Sequence, residues 1–305
     1  MRRAGQSALL SPYGAAAASL GAAPGLPAGL VELVRSAALD ETGAFLAWQL
    51  ANLPRGLAKP ERDRLATIVG RLLVAQAQGG TRLAVSGEER ALLAEVPDLV
   101  ASAAQAGRAP LVLDGEHLYT ERSHACELRV ASRLAERLAP GPFAVASLAA
   151  AVADAAAVAE PAPSNEQKAA VAAALSRRLG VITGGPGTGK TTTALLLVRA
   201  LVRLGLPPAS IALAAPTGKA KSRLEEGFRA RLAGVGGSAD RELLATCPEA
   251  QTLHHLLGAT AGPGGFARAA GVPLPYRAVI VDESSMVDLV LMDQLLAALP
   301  AGCQL

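Results

Sequence analysis

Residues Gly184-Gly185-Pro186-Gly187-Thr188-Gly189-Lys190-Thr191 spell a complete Gly-x-x-x-x-Gly-Lys-Thr octad. The apolar run Gly180-Val181-Ile182-Thr183 precedes it, and Thr192–Arg199, rich in leucine, follows. That order predicts a short buried strand, a glycine-rich turn and a helix N-terminus. It aims backbone N–H groups and the positive end of a helix dipole at one point, where a polyphosphate fits. Glycines are required because the loop wraps phosphate with backbone, some of it at positive φ. Gly184, Gly185, Pro186, Gly187, Thr188 and Gly189 would form the cradle. Lys190 would reach the β- and γ-phosphates, and the Thr191 hydroxyl would ligate Mg²⁺. ATP with Mg²⁺ is the expected pair.

The surrounding pattern alternates short apolar strands with helices. A helix is expected over Asn165–Leu179, a strand over Ile211–Ala215, a helix over Gly218–Leu232, a strand over Ala278–Asp282 and a helix over Val287–Leu299. Such alternation predicts an α/β fold with a doubly wound parallel sheet. Asp282 and Glu283 then sit at the carboxyl end of a strand, the edge where such sheets bind ligands. Asp282 can hold the Mg²⁺ that Thr191 also sees, and Glu283 can orient the water that attacks the γ-phosphate. Capping of the next helix is the structural alternative for this acidic pair.

The turn Ala214-Ala215-Pro216-Thr217-Gly218-Lys219-Ala220 offers N–H groups, a hydroxyl and a cation, which suit a phosphodiester backbone. The next helix adds Lys221, Arg223, Arg229 and Arg231, although basic residues on a helix are usually a solvated face. Ser164-Asn165-Glu166-Gln167 supports two readings: a capping box, or Gln167 presenting its amide to an adenine edge.

Upstream, Glu160-Pro161-Ala162-Pro163-Ser164 reads as a linker dividing residues 1–160 from 161–305. The first part is expected to be mostly helical, with helices at Glu41–Leu50, Arg62–Ala77 and Glu121–Leu138. A small β-hairpin is expected over Pro110–Tyr119, turning at Asp114-Gly115. It carries no catalytic constellation, so docking or scaffolding is its expected work. A composition of 51% hydrophobic and 18% charged residues excludes a disordered chain, and net charge of +3 permits an acidic partner without requiring one. The three cysteines, Cys126, Cys247 and Cys303, are far apart and never paired as Cys-x-x-Cys, which suits a reducing cytoplasm. The adjacent His254 and His255 have poor metal-ligand spacing. Pro12 and Gly14 interrupt the stretch after Met1-Arg2-Arg3, so a loose tail rather than a secretion signal is expected. No run approaches a membrane span, the Ala-rich 144–159 included.

Taken in order, four stretches resemble superfamily 1 DNA helicases, and more closely the RecD-type alpha subunits of exodeoxyribonuclease V: Gly184–Thr193, Leu213–Ala220, Thr252–Gly258 and Val281–Asp288. The hairpin over Leu113–Tyr119 resembles the N-terminal domain of the same family. The resemblance implies a RecA-like P-loop sheet, ATP hydrolysis driving 5′-to-3′ movement on DNA, and a role in double-strand break repair by homologous recombination. It implies that Gln167 contacts adenine. It further implies that Pro216, Thr217, Lys219, Thr252 and His254 line a track for single-stranded DNA opened from duplex, and that beta and gamma subunits are partners. Ser284 departs from the family, which more often has Ala there. By resemblance the family continues beyond Ala301–Leu305 into another strand, lying between the P-loop strand and the Asp282 strand, and into a second motor domain. The chain is therefore expected to be a truncated motor whose sheet is open at its centre. A free-standing RecD-like helicase and a non-motor P-loop protein are the alternatives.

Overall fold

The structure is a computed structural model and describes residues 26–185, 187–232, 238–246, 249–259, 265–269 and 271–305. Pro186, Cys247, the N-terminal residues 1–25 and the glycine-rich stretch 233–237 lie outside the described residues. The chain forms two units, divided between Glu127 and Leu128. The division falls ahead of the Pro-bearing stretch at 160–164.

The first unit begins with helices α1 (Ala28–Arg35), α2 (Glu41–Ala51) and α3 (Lys59–Ala77). Asp40 caps α2 by accepting from the Gly43 N–H at 2.7 Å. Strand β1 (Arg82–Ala84), helix α4 (Gly87–Ala94) and strands β2 (Val100–Ser102), β3 (Leu111–Asp114) and β4 (His117–Thr120) follow. Ser86 and Glu89 form a reciprocal capping box at the start of α4. The β3–β4 hairpin pairs Asp114 with His117, so its two-residue loop is Gly115-Glu116, one position beyond the expected turn. Gly115 takes φ +58°, the left-handed conformation that a tight hairpin demands. The sheet runs β1-β4-β3-β2 and packs with the helices around Leu30, Leu65, Leu72, Leu93, Leu111 and Leu118.

Helix α5 (Glu121–Arg137) crosses the division, and the second unit continues with α6 (Val145–Ala157), α7 (Asn165–Leu175) and α8 (Lys190–Arg203). Strand β5 (Ile211–Ala215), helices α9 (Gly218–Leu232) and α10 (Ser238–Ala245), strand β6 (Ala250–Thr252) and helix α11 (Leu253–Leu256) come next. Strand β7 (Ala278–Val281) and helix α12 (Leu289–Ala298) complete it. The sheet is parallel, in the order β6-β5-β7. Every residue of central β5 is buried, and alternate side chains serve opposite faces. Ile211 and Leu213 join α8 and α9 through Leu195, Val198, Leu224 and Phe228. Ala212 and Ala214 join α11 and α12 through Leu253, Leu256, Leu291 and Leu295. Helices on both faces of a parallel sheet, with a P-loop before α8, make this the RecA-like α/β fold. Residues of α6, ahead of residue 160, share the α8 core: Leu148, Val152 and Ala155 cluster with Val171 and Leu195.

Residues 303–305 occupy the sheet position expected to be open. The Val279 N–H donates to Gln304 O at 2.8 Å and the Gln304 N–H to Arg277 O at 2.9 Å. On the far side, Leu305 donates to Arg178 O and Gly180 donates to Leu305 O. The segment is anchored from beneath. Arg137, itself buried, donates to the carbonyls of Cys303, Leu299 and Pro300. The Gln304 amide donates to the carbonyls of Ala174 and Arg177. Burial in this packing pushes the Cys303 thiol up to about 11.

Two expectations about this region need correction. Gly180–Thr183 is not a buried strand: among the described residues Val181–Thr183 form no ladder, and Val181 is 74% exposed. A strand needs a neighbour, and the neighbouring segment here pairs with Arg178 and Gly180 only. The preceding helix also ends at Leu175 rather than Leu179, because Arg177 bridges to Pro140 and Arg178 pairs with Leu305.

A buried ion triad ties the back of α8 to α10. Arg199 and Asp240 are each 1% exposed; Asp240 accepts from Arg199 Nε at 3.1 Å and from Arg203 at 3.1 Å. Removing one partner of such a pair strands a desolvated charge. Asp240→Ala should therefore destabilise the second unit by about 3–5 kcal/mol, measured by urea unfolding, whereas Arg203→Ala, removing the more exposed partner, should cost much less.

Candidate nucleotide and DNA site

The P-loop is built from the top of α7 and the bottom of α8. Ser164 Oγ accepts from the Gln167 N–H at 3.2 Å, while Gln167 Oε1 accepts from the Ser164 N–H at 2.9 Å. The same amide's Nε2 donates to Thr188 O at 3.3 Å. Gln167 is thus both a capping residue and a tether on the phosphate loop. Gly189 caps α8 at φ +79°, where glycine is favoured, and a Cβ there would lie 2.8 Å from Gln167 Nε2 and displace that tether. Thr188 Oγ1 donates to Gly185 O at 2.9 Å and closes the turn. Lys190 lies over the loop, its ammonium donating to the carbonyls of Gly184 and Gly185 at 3.0 Å each.

The acidic pair is positioned by the sheet. The Asp282 N–H donates to Ala214 O at 2.9 Å, which extends the β5–β7 ladder one rung past β7. Asp282 Oδ1 accepts from the Glu283 N–H at 2.9 Å. Glu283 takes φ +52° and ψ 40°, the left-handed region that costs an L-residue roughly 1–2 kcal/mol. The cap of α12 is Asp288, which accepts from the Leu291 N–H at 2.8 Å; Asp282 and Glu283 do not cap it.

Thr191, Asp282 and Glu283 line one cavity of about 460 Å³ with Arg223, Glu226, Gly227 and Arg231 of α9. Hydroxyl and carboxylate oxygens are the hard donors that Mg²⁺ takes, usually alongside substrate phosphates. The left-handed glycines, the helix N-terminus and Lys190 fit a triphosphate. The chain's own residues therefore suit ATP and Mg²⁺ on chemistry and on placement. The approach of α9 depends on Gly227: a Cβ at that position would lie 2.7 Å from Thr191 Cγ2.

Sequence reasoning treated the α9 arginines as a solvated face. That holds for Arg229, which pairs with Glu225 at 2.7 Å, and for Lys221, 3.9 Å from the same carboxylate. It misses Arg223 and Arg231. The signal was in the spacing, since residues 223, 227 and 231 share one helix face with the glycine in the middle.

The second group collects at the same sheet edge. Thr217 Oγ1 accepts from the Ala220 N–H at 3.2 Å and caps α9; Thr252 Oγ1 accepts from the His255 N–H at 3.2 Å and caps α11. Ala215 registers with Thr252, so the turn Pro216–Lys219 and the segment Thr252–His254 leave adjacent strands side by side. Lys219 and His254 are exposed, and the His254 ring lies 6.0 Å from that of Phe266.

Residues 167–305 match the family described as AAA domain. The chain is 46% identical over 145 residues to the RecBCD enzyme subunit RecD of Mycobacterium tuberculosis (strain H37Rv), covering 46% of this chain and 25% of that protein. It is 43% identical over 136 residues to the RecBCD enzyme subunit RecD of Haemophilus influenzae, covering 44% and 21%. To the ATP-dependent RecD2 DNA helicase of Deinococcus radiodurans it is 40% identical over 141 residues, covering 46% and 16%. The matched stretch thus spans about a quarter, or less, of the length of these relatives. No helix among the described residues is long and apolar enough to cross a membrane.

The strained backbone at Glu283 yields a direct test. Asn tolerates the left-handed region better than Glu, so Glu283→Asn should raise stability to urea by about 1 kcal/mol while removing the carboxylate from the cavity. A loss of stability instead would show that the Glu283 side chain holds its turn together.

Proposed function

From a RecD-type segment at residues 167–305, we propose that this chain carries the ATP-binding part of a DNA helicase motor. One observation carries the reading: Thr191, beside the P-loop lysine, lines the same cavity as Asp282 and Glu283, about ninety residues further along the chain. In this role the N–H groups of Gly185, Gly187, Thr188 and Gly189 and the Lys190 ammonium hold the β- and γ-phosphates. Thr191 and Asp282 hold Mg²⁺, which neutralises charge developing on the phosphates. Glu283 orients the attacking water and accepts its proton. Gln167, its amide already at the loop, reads the adenine edge.

Single-stranded DNA, opened from duplex, would cross the carboxyl edge of β5 and β6. Thr217 and Lys219 meet its phosphates there, while Pro216, Thr252 and His254 form the rest of the track. We further propose a place beside beta and gamma subunits in a cytoplasmic helicase–nuclease, moving 5′ to 3′ in recombinational repair; relatives named as RecBCD enzyme subunits support the assembly.

Binding of a fluorescent ATP analogue and of labelled single-stranded DNA tests the reading. The chain should bind both, and Lys190→Ala should weaken the analogue at least tenfold with DNA binding retained. Lys219→Ala should weaken DNA and steepen no other property. In a chain that joins this segment to a second motor domain, ATP turnover should rise on adding single-stranded DNA. Turnover indifferent to DNA would point to a P-loop protein that is not a motor.

A further inference from the structure

Helix α9 presents two cationic side chains to the nucleotide cavity, and neither belongs to the P-loop, the Asp282 strand or the DNA track. Arg223 and Arg231 are eight residues apart, hence on one face, with Gly227 between them. The glycine lets that face close on α8 against Thr191. Arg231 donates through Nη1 to Gly227 O at 3.1 Å, but its Nε is buried and has no hydrogen-bond partner among the described residues. A buried guanidinium N–H without an acceptor is costly, and the Arg231 side chain that carries it also lines the cavity beside Asp282 and Glu283. Arg223 is exposed and forms no ion pair among the described residues. Glu226, also exposed, is the single acidic group that α9 adds to the cavity wall.

We propose that Arg231, assisted by Arg223, contacts the terminal phosphate of bound ATP from within this same domain. The inference rests on the nucleotide site proposed above and adds to it the groups that distinguish ATP from ADP. In the proposed nucleotide site Asp282 and Glu283 would mark the metal and the attacking water, which lie on the terminal-phosphate side. Arg223 and Arg231 line the cavity with that acidic pair. Arginine is suited to the task because its planar fork gives charge-assisted bonds to phosphate oxygens. Because α9 begins at the Gly218-Lys219 turn, the helix that reads the terminal phosphate would be the one whose first residues meet DNA.

The test compares equilibrium binding of ATP–Mg²⁺ and ADP–Mg²⁺ by the whole chain. Arg231→Ala should weaken ATP about tenfold, equivalent to about 1.4 kcal/mol, with ADP changed less than twofold; the unchanged ADP affinity also reports an intact fold. Arg231→Lys should recover part of the loss. Arg223 is exposed, so Arg223→Ala leaves the core undisturbed and should lower ATP affinity selectively by threefold or more. Equal losses for the two nucleotides, or no loss in either variant, would overturn the proposal while leaving the nucleotide site standing. A wild-type chain that binds neither nucleotide would sink the nucleotide site and this proposal with it.

Discussion

A single backbone hydrogen bond, from the Asp282 N–H to Ala214 O, decides where the chemistry of this chain can happen. It carries the β5–β7 ladder one rung beyond β7 and fixes the first acidic residue at the carboxyl edge of the sheet. On that edge β5 and β6 also release the Thr217 and Thr252 turns. Parallel pairing sends every strand's carboxyl end to one side, so three functional segments separated by tens of residues become neighbours without any one of them being long. The apolar residues of β5 bear the cost of this arrangement by burying both faces.

Helix α9 then joins the two halves of the edge. Its first turn is capped by Thr217 on the side of the proposed DNA track, and its Gly227 face closes on Thr191 at the proposed nucleotide site. A rigid helix of fifteen residues is a plain physical route by which one site can sense the other. Behind it, Arg199 of α8 donates through Nη2 to Arg231 O at 3.3 Å and is itself held by Asp240 of α10, so the far end of α9 is tied to α8 as well.

Much of this was legible from residues. The β5 strand and α9 are found at the expected bounds, since a five-residue apolar run followed by Pro-Thr-Gly is unambiguous punctuation. The hairpin was marked by Asp114-Gly115 and displaced by one residue. Two kinds of feature were not legible. Val181–Thr183 has strand-like composition, yet a strand exists only with a partner, and Leu305 pairs with Arg178 and Gly180 instead. The placement of Arg223 and Arg231 in the cavity lining depended on Gly227 letting α9 reach Thr191, a tertiary contact that helix periodicity can suggest and only packing can settle. Of the two readings of Gln167, the capping box is present, while its Nε2 donates to Thr188 O, a loop tether that neither reading foresaw.

The account stands on Thr191 and Asp282 sharing one metal ion on one nucleotide. The most direct measurement is a double-mutant cycle, Thr191→Val and Asp282→Asn singly and together, on affinity for an ATP analogue with Mg²⁺ present and with Mg²⁺ chelated. Residues that meet through a common metal should show a coupling energy of about 1 kcal/mol or more when the metal is present and none when it is chelated. Strictly additive losses in both conditions would mean that the two side chains act at separate places.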